Sequence, residues 1–234
     1  HHAALKNLFI EKMRQEGTLE NIPPRISVFG ISTLPPCYLE VFAALARKID
    51  VYFFYLNPCQ EYWKYIYSDR EIAAFEKKGL TDQDQYYEKG NSLLASMGSS
   101  GREFFSLVDS LIEGAPRDLF EEPGQDSMLA CIQSDILHLI DRRHEPQAVP
   151  APARDDRSIQ IHCCHSPVRE VEVLYDNLLS LFDRDRSLLP RDIVVMTPDI
   201  ATYAPLVQAV FDTPENPARQ IPYSIADISS RMES

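Results

Sequence analysis

With 234 residues, 44% of them hydrophobic, the chain is long enough for one large domain or two modest ones with real cores. Its formal net charge of −12 argues against a freestanding nucleic-acid-binding module, because such modules gain affinity from a basic surface that displaces phosphate counterions; only a local basic groove remains open to it. No apolar run approaches the ~20 residues of a membrane span, and HHAALKNLFIEKM lacks the basic flank and cleavage site of a signal peptide, so nothing sends the chain out of the cytoplasm.

Residues 3–14 carry Leu5, Leu8, Phe9 and Met13 at the spacing of one buried helical face. After the breaker NIPP, the run RISVFGI (25–31) has the β-branched and aromatic density of a buried strand, and STLPP then opens a helix over CYLEVFAALARKI (37–49). DVYFFYLNP (50–58) is short, continuously apolar and bounded by Pro58, which predicts a strand buried on both faces. Strand, helix, strand in this order implies a parallel βαβ unit.

An aromatic helix is predicted over 59–78, with Tyr62, Trp63, Ile66, Ala73 and Phe75 available for packing, followed by an exposed loop over 79–91. Two more helices are predicted over 92–113 and 126–143, where Leu107, Leu111, Leu129, Ile132, Ile136 and Leu139 recur at helical steps. The stretch HEPQAVPAPARDDRS (144–158) is rich in Pro, Ala and charge without apolar periodicity, and reads as a linker between a first domain, 1–144, and a second, 158–234. Beyond it a second βαβ pattern begins: strands over 158–164, 191–196 and 221–225, and helices over 167–182 and 198–211.

The chain opens on His1 rather than Met, and its last residues, SIADISSRMES, close no visible element; it reads as a fragment, with His1 and His2 open to being either tag residues or native ones. The five cysteines have no framework spacing and fit reduced thiols. Two of them sit in HCCHSPVREVEVLYDNLL (162–179). Adjacent residues on a strand point to opposite faces, so His162 and Cys164 cannot share one tetrahedral ion with Cys163 and His165, and the chain holds no CxxC or HxxxH. A nucleophilic Cys163 or Cys164 would need a base and a depressed pKa, whereas cysteines at a strand end are more often small buried hydrophobes.

Ser166-Pro167 is a good helix start, which makes the stretch a joint between strand and helix. Arg169 then falls in the first turn, where the helix dipole disfavours a cation unless Glu170 and Glu172 offset it or an external anion such as a DNA phosphate faces it. No Gly is followed by Lys, so GxxxxGK[ST] is absent, and Pro198-Asp199 has no acidic-x-Lys partner that would make it a nuclease motif. Trp63 with Tyr62, Tyr65 and Tyr67 could stack unpaired bases, although such a cluster is more often core.

VFGISTLPPCYLEVFAAL (28–45), LNPCQEYW (56–63), NSLLASMGSSGREF (91–104), IQSDIL (132–137), HCCHSPVREVEVLYDNLL (162–179), PRDIVVM (190–196) and IPYSIAD (221–227) together resemble, in the family's order, the RecC family, the gamma chains of bacterial exodeoxyribonuclease V. HHAALKNLFIE resembles that family too, which favours native His1 and His2. The resemblance implies an α/β fold of parallel-sheet, superfamily 1 helicase-like lobes without ATPase motifs, of which this fragment spans the end of the first lobe and the start of the second. It also implies a non-motor subunit of a RecBCD-type complex in double-strand-break repair, one that guides separated strands and, at full length, helps recognise Chi.

No cofactor is expected in this chain, since ATP and Mg are bound by partner subunits in the family. The expected partners are RecB-like and RecD-like subunits and single- and double-stranded DNA, with no membrane. No catalytic or metal residue is expected. Candidate DNA contacts are Arg169 and Ser166 at the helix start and Asn57 at a strand end, because the carboxyl ends of parallel strands are where such folds bind ligands. The alternatives are a truncated ATP-dependent helicase-nuclease subunit of AddB or RecB type, and a cysteine- or metal-dependent hydrolase.

Overall fold

The computed structural model describes residues 2–15, 22–80, 87–88, 90–111, 117–143, 153–213, 216 and 219–227. The chain divides into two compact units, His1–Ile159 and Gln160–Ser234. Of the stretch read as a linker, 144–152 lies outside the described residues, as does most of the loop over 79–91.

The first unit is α/β. It opens with helix α1 (His2–Arg14), strand β1 (Arg25–Val28), helix α2 (Pro36–Leu45) and strand β2 (Asp50–Phe53). β1 and β2 pair in parallel from Arg25 opposite Asp50 to Val28 opposite Phe53, the arrangement expected of a βαβ unit. Pro35 and Pro36 start α2 because the first helical residues need no N–H partner and proline pre-sets their φ. The sheet is buried on one face only. Val28 packs inward, while Ser27, Tyr52, Phe29 and Phe54 point outward and are exposed, so the reading of 50–58 as a strand buried on both faces does not hold. α1 also turns differently from expectation. Phe9, Ile10 and Met13 face α2, whereas Leu5 and Leu8 are exposed.

The predicted aromatic helix over 59–78 exists only as α3 (Asp69–Lys77). Residues 59–65 are irregular, and Tyr62, Trp63 and Ile66 lie outside the helix. Ser68 sets the boundary, because its hydroxyl accepts from the Glu71 N–H while the Glu71 carboxylate accepts from the Ser68 N–H, a reciprocal capping box.

The helix predicted over 92–113 is two, α4 (Ser92–Met97) and α5 (Ser99–Leu111). Gly98 separates them, since a Cβ there would stand 2.5 Å from the Leu94 carbonyl oxygen and 3.3 Å from the Trp63 ring. The buried Asn91 caps α4 by accepting from the Leu94 N–H at 2.9 Å, and donates to the Ile140 carbonyl at 2.8 Å.

Helix α6 (Met128–Leu137) is shorter than its predicted span, and its first turn is capped three times. Ser127 accepts from the Ala130 N–H at 3.2 Å, Asp156 from Met128 at 2.8 Å and Ser158 from Leu129 at 3.1 Å. Residues 153–158, read as linker, are thus fastened to α6. The bond from the Met128 N–H, with those that Ser158 donates, holds the Asp156 carboxyl below the ordinary aspartate range. A carboxyl that titrates lower in the folded than in the unfolded chain stabilises fully above the unfolded value, near pH 4, and loses that contribution as pH falls through the folded one. Thermal unfolding followed by circular dichroism should therefore show a midpoint that drops on acidification below about pH 4. Asp156→Ala should lower the midpoint at pH 7 and flatten that drop, and an unchanged profile would remove Asp156 as a cap.

The second unit holds helices α7 (Pro167–Arg184) and α8 (Ile200–Phe211), which pack through Val171, Tyr175 and Leu178 against Phe211 and Ile221. Tyr175 meets Phe211 edge-on at 5.2 Å between ring centres and donates its hydroxyl proton to the Arg219 carbonyl at 2.6 Å. None of the three strands expected here forms among the described residues: 158–164 and 221–225 are irregular, and 190–192 is a turn of 3₁₀ helix. A strand requires a neighbour to complete its ladder, and these runs have none among the described residues, so Ile161, Val194, Val195 and Met196 are left exposed. No described helix is long and apolar enough to cross a membrane.

Candidate nucleic-acid interface

Ser166 has an extended backbone, and its hydroxyl accepts from the Arg169 N–H at 3.3 Å, so Ser166-Pro167 is the joint that starts α7. The Arg169 side chain projects from that first turn, about half exposed, and donates from Nη1 to the Glu172 carboxylate at 2.9 Å. This pair is what offsets a cation at the positive end of the helix dipole. Glu170, expected to share the task, instead accepts from the Tyr203 hydroxyl at 2.5 Å. An exposed pair of this kind contributes little, so an incoming phosphate could take the place of Glu172 at small cost.

Asn57 follows β2 in the other unit, and its side-chain oxygen is already engaged. It accepts from the Trp63 indole N–H at 2.9 Å and from the Cys59 N–H at 3.4 Å. Only its amide N–H groups are left to offer a strand. Trp63 is core, 2% exposed and stacked on Phe105 with ring centres 5.8 Å apart, so it presents no face to a base. Tyr62 is half exposed, but edge-on to Tyr65 and Phe105.

The HCCH stretch differs from its sequence reading. It carries no strand, Cys163 is exposed and Cys164 partly so, in place of a buried cysteine pair. Among the described residues no three His, Cys, Asp or Glu side chains converge where they could hold a metal ion.

One polar cluster had no counterpart in the sequence reading. Arg102 of α5 is buried; its Nη1 donates to the Ile66 carbonyl, its Nη2 to Glu71 at 2.6 Å, and its guanidinium lies 4.1 Å from the centre of the Tyr67 ring. Burial raises the Glu71 carboxyl, but the bonds from Arg102 and Ser68 outweigh it and hold the group below the ordinary range. An arginine inside an apolar helical pattern was the available signal, together with Ser-x-x-Glu at 68–71.

The family described as RecC, N-terminal domain, matches residues 1–139. Over 257 residues the chain is 35% identical to the RecBCD enzyme subunit RecC of Haemophilus influenzae, an alignment that takes in 97% of this chain and 22% of that protein. It is 37% identical over 264 residues to the subunit of the same name from Escherichia coli, covering 99% of this chain and 23% of that one. With Mycolicibacterium smegmatis RecC it shares 37% identity over 194 residues, 82% of this chain and 17% of the relative. The chain thus spans less than a quarter of the length of these relatives. The match over residues 1–139, more than half of the chain, makes this protein a member of the RecC family.

Proposed function

We propose that the chain works as part of a non-catalytic, gamma-type subunit of a RecBCD-type complex, a scaffold that guides separated DNA strands during double-strand-break repair. The observation that carries this reading is its family membership, together with relatives that are RecBCD enzyme subunits. On this reading ATP and Mg are left to RecB-like and RecD-like partners, and no GxxxxGK[ST] occurs in the stretch this chain spans. The net charge of −12 favours subunit contacts with a few local phosphate contacts over a continuous basic groove. Chi recognition belongs to the full-length subunit.

On this reading the two units, His1–Ile159 and Gln160–Ser234, correspond to the helicase-like lobes expected over 1–144 and 158–234, with 153–158 of the intervening stretch fastened to the first unit. In the second, the exposed runs 158–164 and 191–196 would become strands once a longer chain supplies their ladder partners. Ser166 and Arg169 at the start of α7 are the leading DNA contacts. Asn57 is retained only through its amide N–H groups.

The test is fluorescence anisotropy of labelled single-stranded DNA titrated at low and moderate salt. Arg169→Ala should weaken binding about three- to tenfold and reduce the salt slope by roughly 0.7, the change expected for one phosphate contact on a single strand. An affinity and slope equal to those of the parent chain would remove the start of α7 from the strand's path.

A further inference from the structure

We draw no further inference here: the strongest candidate, the groove where the start of α3, helix α4 and residues 141–143 meet, carries nothing, because Asp69 and Asp141 offset the charge of Arg70 and Arg143 along its walls and, in a chain that spans less than a quarter of its relatives, nothing in the structure shows what covers it.

Discussion

Replacing Arg102 by Met should lower the stability of the first unit by roughly 3 kcal/mol, the low end of the range for breaking a buried ion pair because Glu71 is about a third exposed. Methionine fills the arginine's volume, so the loss measures unpaired polar groups rather than a cavity. The Ile66 carbonyl loses its donor in the core, Glu71 keeps a charge with only Ser68 to bond it, and the Tyr67 ring loses its cation. Urea denaturation followed by circular dichroism checks this. Adding Glu71→Gln to Arg102→Met should recover part of the loss, since it removes the stranded charge while keeping an acceptor for the Ser68 N–H. A double variant less stable than the single one would mean that the charge of Glu71 stabilises α3 without help from Arg102.

Trp63→Ala should cost a similar amount, about 3–5 kcal/mol, by emptying the cluster formed with Cys59, Ile66, Leu94 and Ala95. Trp63 is the single tryptophan of the chain, so its fluorescence reports on this cluster without labelling. Asn57→Ala leaves the indole N–H without its acceptor and should cost about 1–3 kcal/mol, with a red-shifted emission as water reaches the ring. Asn57→Asp keeps the acceptor and should hold the native emission. This pair of variants decides how Asn57 can be read as a DNA contact. A binding defect in the alanine variant follows from disturbed packing alone, whereas one in the folded aspartate variant would point to the lost amide N–H groups. If both variants keep the native spectrum and stability, the Asn57–Trp63 bond contributes nothing.

The parallel βαβ start of the chain was legible because Pro35-Pro36 and the β-branched runs on either side act within a few residues. So was the start of α7, where Ser166-Pro167 carries its own chemistry. The sequence misled where the outcome depends on distant partners. Ile161 and Val194–Met196 have strand composition, but a strand exists only with a neighbour, and none forms among the described residues.

The aromatic density of 59–67 suggested helix, yet Trp63 and Ile66 pack from an irregular loop whose end is fixed by the Ser68 capping box, a four-residue signal outweighed by composition. Arg169 was placed at the right helix turn, but the choice between Glu170 and Glu172 as its neighbour depends on Tyr203, 34 residues away.

The fastening of Asp156 and Ser158 to the first turn of α6 bears on how mechanical load travels through the polypeptide. The covalent path out of the first unit leaves at Ile159, one residue beyond Ser158, so a pull on the chain there is met by the bonds to Met128 and Leu129 before it can reach 144–152. The strain would enter the first unit at the exposed first turn of α6, a helix whose inner face is buried through Ala130, Cys131, Ser134 and Leu137. A version trimmed at residue 143 would lose this anchor and strip two of the three partners from that turn, so the natural place to sever the two units lies after Ile159.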